Sequence, residues 1–372
     1  MMPKDVSTYP ELKHIFNTER INLIADLLST ATSAFNRQVF VSHAIHELEN
    51  LNLMQRMRQI SEAYFVGMKP LSLAEQFKIL RQIGPAFHHG FAAISLCEFV
   101  ARYGLDDLEA SLSTLHFLTQ FGSAEFAIRP FIEKYPTETM KQMQLWSHDN
   151  NEHVRRLASE GCRPRLPWSF QLSAMKQDPS LAWPILTQLN QDDSLYVRKS
   201  VANHLNDISK DHPEWLLEQL KNWDRSNLQT QWIIRHGLRT LIKQGHPEAL
   251  NLIGVSTQVD INVSAFSVTP THIELGQSIS IELTCQLNQT TDADLVIDYA
   301  MIYPKANGKM SRKVFKWKRI SLIPNQSIQF SKQQLIKDFS TRKHYAGLYQ
   351  IELLINGRVY AETSFHLSLN EK

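Results

Sequence analysis

The chain has 372 residues, 20% charged and 43% hydrophobic, and a formal net charge of +2. That length accommodates two domains with separate cores and excludes a largely disordered chain, while near-neutral charge supplies no global argument for a nucleic-acid partner. Three widely spaced cysteines (Cys97, Cys162, Cys285), an N-terminus without the apolar core of a signal peptide and no apolar run of about 18 residues point to a cytoplasmic protein with neither disulfides nor a membrane partner.

From about residue 10 to 255 apolar residues recur at three- and four-residue spacings, with interruptions such as Gly84-Pro85, Gly104, Tyr135-Pro136 and His212-Pro213. That pattern predicts successive helices. An internal repeat runs through them. Leu145 to Ala158 reappears as Gln188 to Val201, which places Val154 and Val197 43 positions apart, and a weaker third copy runs from Leu220 to Leu238. The period is that of HEAT-type repeats, each a pair of helices, with an aspartate ahead of Val-Arg where a carboxylate favours a helix start.

On a helical wheel Val154, Leu157, Ala158 and Gly161 share an inward face, as do Val197, Val201 and Leu205, and Ile234, Leu238 and Leu241. Polar stripes stand beside them: Arg156, Glu160 and Arg163; Lys199, Asn203, Asp207 and Lys210; Arg235, Arg239 and Lys243. Stacked in register these cations make a basic track suited to a phosphate backbone. Arg155 and Arg198 fit the track too, or pair structurally with an aspartate of a neighbouring repeat. Arg163-Pro-Arg165-Leu-Pro-Trp168 is a stiff basic loop ending in an aromatic. Glu160 and Asp207 within the stripes are either salt-bridge partners worth a few tenths of a kcal/mol or acids that must meet a positive charge.

After Gly254 the segments Ser278 to Leu287, Ala293 to Ile302, Val314 to Ile320 and Gly347 to Ile355 are rich in β-branched and aromatic residues. Turn signals separate them, the clearest being Asn356-Gly357. The fold class expected is an all-α HEAT-like repeat solenoid over 1–256 and an all-β immunoglobulin-like sandwich over 257–372. Lys305, Lys309, Arg312, Lys313, Lys316, Lys318 and Arg319 fall within 15 residues containing no acid, and Arg342-Lys343-His344 adds a second cluster. These read as a solvated ribbon or as a clamp on duplex DNA from the side opposite the solenoid.

Ser123-Ala-Glu125-Phe-Ala-Ile-Arg129-Pro, Val154 to Trp168, Asp193 to Pro213 and Ile234 to Gly245 closely resemble the AlkC branch of the AlkC/AlkD DNA alkylation-repair glycosylases, over roughly residues 10 to 255. The resemblance implies excision of cationic bases, chiefly 3-methyladenine and 3-methylcytosine, from double-stranded DNA without full base flipping. It implies Glu125, Glu160 and Asp207 as the acids at the lesion, with Arg156, Arg163 and Trp168 around them. No metal or organic cofactor is implied and no obligate protein partner, so a monomer is expected.

The residue types suit that chemistry. An N3-methylated base already carries positive charge and leaves without a general acid. Fixed carboxylates then stabilise the oxocarbenium ion and hold the attacking water. No GxSxG, P-loop, GxGxxG or HExxH motif offers other chemistry, and no Cys or carboxylate set completes a metal site around His43, His46, His88 and His89. The alternative is a non-catalytic HEAT scaffold for nucleic acid or protein, which has no use for acids inside a basic stripe.

Overall fold

In a computed structural model, residues 12–88, 90–339 and 342–369 are described; of the four histidines above, His89 lies outside them. A helical N-terminal region is followed by a β-sandwich, the change falling between the last helix, Pro247–Leu252, and the first strand, Ile261–Thr269. The chain divides into two compact units, Met1–Asp211 and His212–Lys372, so the helices from Pro213 onward group with the sandwich. No helix among the described residues is long and apolar enough to cross a membrane.

In the first unit the two clearest repeat copies give helices α1 (Glu152–Gly161) and α2 (Leu195–Ile208), which pack against each other. Val154, Leu157, Ala158 and Gly161 are buried on α1, and Val197, Val201 and Leu205 on α2. The aspartates ahead of Val-Arg close the turn rather than cap the helix. Asp149 Oδ1 accepts from the Asn151 N–H at 2.7 Å and Asp192 Oδ1 from the Ser194 N–H at 2.8 Å, and Asn151 and Ser194 are the N-caps.

The repeat also explains the arginine after each valine. Arg155 donates to the carbonyls of Asp149 and Asn150, and Arg198 to those of Asp192 and Asp193, each bracing the turn before its own helix. Arg155 further pairs with Asp192 of the next repeat at 2.7 and 3.1 Å.

In the second unit, α3 (Leu228–Gly237) and α4 (Arg239–Lys243) precede strands β1 (Ile261–Thr269), β2 (His272–Glu274), β3 (Ser278–Leu287), β4 (Ala293–Pro304), β5 (Met310–Leu322), β6 (Ser327–Leu335), β7 (Gly347–Ile355) and β8 (Arg358–Ser368). One sheet has the order β1-β3-β6 and the other β2-β8-β7-β4-β5, antiparallel except for β2 with β8. Alternate residues such as Ile279, Ile281, Leu283, Tyr299, Met301, Ile351 and Leu353 fill the space between the sheets. Asn356 (φ 49°) and Gly357 (φ 78°) turn β7 into β8 with the two left-handed residues that a tight hairpin requires.

Candidate active site

Three segments of the first unit converge: the turn holding Glu125, the C-terminal end of α1 and the C-terminal end of α2. Gly161 permits the first approach, because a Cβ there would lie 2.5 Å from Ile128 Cγ2. The second is set by the stacked repeats. Ser159 Oγ meets Ser200 Oγ at 2.6 Å, and the Ser159 carbonyl lies 3.0 Å from Nδ1 of buried His204, whose pKa burial depresses to about 4 and which is therefore neutral.

The result is an alternating row of charge. Arg156 pairs with Glu125 and lies 3.5 Å from Glu160, Arg163 Nη1 donates to Glu160 Oε1 at 2.6 Å, Arg163 Nε and Nη2 each reach Asp207 Oδ2 at 2.9 Å, and Lys210 reaches Asp207 Oδ1 at 3.1 Å. Glu160, Arg163 and Asp207 are 4, 7 and 2% exposed. Burial alone would depress both arginines, but Glu125 and Glu160 outweigh it for Arg156, and Glu160 and Asp207 for Arg163, holding both guanidiniums above their ordinary pKa. The intrahelical pairing of Glu160 with Arg156 expected from spacing is present. It sits inside a buried network, however, where the few tenths of a kcal/mol of an exposed helix pair no longer apply.

The oxygens are not equally engaged. These cations hold Glu125 through Oε2 and Glu160 through Oε1, so each acid has a second oxygen they do not touch, whereas Asp207 is held on both. Ser123 Oγ donates to Glu125 Oε2 at 2.8 Å and accepts from Arg156 at 2.6 Å, which fixes the Glu125 rotamer. Fixed anionic oxygens of this kind can stabilise a developing cation and orient a water. Among the described residues no group of three or more His, Cys, Asp or Glu side chains is placed to hold a metal ion.

On the loop that follows Arg163, Trp168 is 63% exposed and held at φ 66°, a backbone region that L-residues other than glycine seldom occupy, with its ring edge-on to Phe91 at 6.4 Å. Such strain persists only where surrounding structure imposes it.

Residues 114–241 match the family described as DNA alkylation repair enzyme, and residues 262–369 the C-terminal immunoglobulin-like domain described for uncharacterised protein YhaZ. The Bacillus subtilis protein YhaZ, itself uncharacterised, is 38% identical over 96% of this chain and 99% of its own length. The structure of Pseudomonas fluorescens alkylpurine DNA glycosylase AlkC bound to DNA containing an abasic site analogue superposes with a TM-score of 0.93 at 44% identity, covering 96% of this chain and all of that one. The chain belongs to the AlkC family of alkylation-repair DNA glycosylases.

In this AlkC-family protein all three acids picked from sequence lie in one network with Arg156 and Arg163, and Trp168 lies on the adjoining loop. Arg165 pairs with Asp211 at 2.7 and 3.1 Å at the surface, Lys199 and Lys210 are exposed, and Asn203 is half-buried. In the sandwich Arg312 pairs with Glu352, Lys313 and Lys318 lie over Phe315 and Phe330, Arg342 lies among Tyr303, Phe315 and Phe339, and Lys343 is exposed.

Two residues carry more than the sequence reading gave them. Tyr196 lies over the Arg156 guanidinium at 4.9 Å, and burial raises its phenol pKa against the opposing pull of Arg156. Arg129 is fully buried and donates to the carbonyls of Gly161 (2.9 Å), Arg163 (2.8 Å) and Phe170 (2.5 Å). It thus ties down both ends of the loop that presents Arg163 and Trp168. Burial, helped by the nearby Arg163 charge, lowers its pKa to about 10, which still leaves it charged at neutral pH. No periodicity marks such a residue, since its partners are carbonyls 32 to 41 positions away.

Arg129→Lys keeps the charge and loses the fork that reaches three carbonyls. It is expected to lower stability by about 2 kcal/mol, from buried acceptors left without donors, and to speed amide exchange across residues 163–170. Exchange in that loop at the parental rate would show that Arg129 does not hold it.

Proposed function

We propose that this enzyme hydrolyses the N-glycosidic bond of cationic N-alkylated bases, 3-methyladenine and 3-methylcytosine, in duplex DNA, without full base flipping and without a cofactor. The observation that carries the reading is the row Glu125–Arg156–Glu160–Arg163–Asp207. It holds three carboxylates in fixed positions, and the loop that follows Arg163 carries an exposed, strained tryptophan. The positively charged base needs no proton to leave, so the barrier lies in the cationic sugar. The untouched oxygens of Glu125 and Glu160 are the groups best able to face that charge and to orient the water. Asp207 anchors Arg163 and offers Oδ1 when Lys210, exposed at the surface, moves aside. Selectivity then follows from electrostatics: a cationic lesion is drawn to the acids and a neutral base is not.

The DNA-binding set on this reading is Arg156, Arg163, Arg165, Trp168, Lys199, Asn203 and Lys210 in the first unit. In the second it comprises the cations of α3, α4, β5 and the Arg342-Lys343 pair. Arg155 and Arg198 act mainly through the turns they brace. The protein works as a monomer on the nucleoid in the cytoplasm. Purified protein incubated with methylated duplex DNA in EDTA is expected to release 3-methyladenine and 3-methylcytosine, each resolved by chromatography. Abolition of release by EDTA would refute the metal-free mechanism, and failure to release either base would refute the substrate assignment.

A further inference from the structure

The acids of the charge row do not by themselves fix Arg156. Its Nη1 donates to Ser123 Oγ at 2.6 Å and pairs with Glu125 Oε2, while its Nη2 lies 3.5 Å from Glu160 Oε1. The last contact is longer than a good hydrogen bond. All guanidinium donors lie in one plane, so contacts at its edge leave both faces open and its tilt free. A second kind of contact, made to a face, is needed to settle that tilt.

The repeat shows where this contact comes from. Because Val154 and Val197 are equivalent, Arg156 corresponds to Lys199 and Tyr196 to His153. Lys199 is exposed, whereas the Arg156 side chain keeps only 14% of its surface. Tyr196 supplies part of the cover. It stands in the first turn of α2, one residue ahead of the buried anchor Val197, and its ring centroid is 4.9 Å from Arg156 Cζ. The same ring meets His153, one turn before Arg156 on α1, at 5.5 Å and 63°. Ser194, the N-cap of α2, bonds through its hydroxyl to Glu152 at the start of α1 and ties the two first turns together. The place of the ring over Arg156 is thus set from both helices.

The contact belongs to the ring and not to the hydroxyl. The phenol oxygen makes no hydrogen bond to another described residue. Tyr196 is also 39% exposed, too open for a core side chain. An aromatic face attracts a guanidinium laid over it, more strongly as water is excluded.

We propose that Tyr196 is a positioning residue for excision. Its ring holds the Arg156 guanidinium at the tilt that engages Glu125 and Glu160 together, and so keeps the second oxygen of each acid aimed at the reacting sugar. The inference rests on the reading of these acids as the working groups.

A double-mutant cycle on the full-length protein tests it, read as single-turnover release of 3-methyladenine with enzyme in saturating excess, so that affinity does not enter. Tyr196→Leu is expected to slow excision about tenfold, the scale of a desolvated cation–π contact, while Tyr196→Phe keeps the ring and stays within about twofold of the parent. In an Arg156→Gln background, Tyr196→Leu should slow excision by less than about a further twofold, because the group through which the ring acts has gone. Equal slowing in both backgrounds would mean that Tyr196 acts independently of Arg156 and would overturn the proposal. A Tyr196→Phe rate as low as that of Tyr196→Leu would overturn it too, by handing the role to the hydroxyl, as would an undiminished rate for Tyr196→Leu. Tyr196→Gln takes the place of the leucine variant should that one not fold. If Arg156→Gln leaves too little excision to follow, the cycle is read on urea midpoints at constant slope, where stacking predicts coupling and additivity refutes it. No release by the parent sinks the substrate reading and the proposal with it. Release by the parent with additive effects sinks the proposal alone.

Discussion

Glu160→Gln is expected to lower single-turnover excision of 3-methyladenine by about two orders of magnitude or more, the usual effect of removing a preorganised electrostatic group. The substitution keeps the shape and an acceptor oxygen for Arg163 and Arg156 but removes the charge between them. Their remaining partners, Asp207 and Glu125, stay in place, so the row is weakened and not dismantled. Because Glu160 is buried in this network, some stability is lost as well, on the order of 1–3 kcal/mol. Excision is therefore measured at a temperature where the variant is fully folded. On the proposed reading, affinity for undamaged duplex should stay equal or tighten, since one negative charge leaves the surface assigned to DNA. Full excision by the folded variant would remove Glu160 from the chemistry and leave Glu125 and Asp207.

The largest expected effect on stability is at Arg163. Its guanidinium bridges two buried carboxylates from different repeats, Glu160 at 2.6 Å and Asp207 at 2.9 Å. Arg163→Met fills most of the volume but leaves both acids without this partner in a desolvated place. Breaking a buried ion pair by removing one member typically costs about 3–5 kcal/mol. Glu160→Gln and Asp207→Asn added to Arg163→Met should recover a good part of that loss, because no uncompensated charge then remains. The measurement is the urea midpoint of the parent, the single variant and the triple variant at constant slope. A loss below about 1 kcal/mol for Arg163→Met alone would show that the bridge contributes little to holding the repeats together.

Some of this architecture is legible in a linear chain because its cause is local. The 43-residue recurrence of Asp, Val and Arg encodes a turn, a buried anchor and an arginine that braces the turn, all within about six residues, and the structure repeats those contacts in both copies. Asn356-Gly357 determines its hairpin because few residues accept two successive left-handed conformations. β3 is found at its true ends because its alternation is regular, while β1, β2 and β6 are not. β1 carries a bulge that breaks the period, β2 has three residues, and β6 is a polar edge strand.

Glu125, Glu160 and Asp207 could be named from the motifs they stand in, yet neither their burial nor their shared partners could. Spacing within a helix reports neighbours three and four residues away, whereas Arg163 meets Asp207 44 positions on and Arg156 meets Glu125 31 positions back. The same limit hid Arg129, whose role lies in three distant carbonyls. It also split Arg235, Arg239 and Lys243 from Lys316 and Lys318, residues that share one cavity. By itself the sequence determined the helical repeats, the sandwich and the residue types of the acid set, because these follow from periodicity, turn chemistry and motif. Only the tertiary structure decided which charges meet, how dry their meeting place is and which carboxylate oxygens stay open, because each depends on segments brought together by packing across tens of residues.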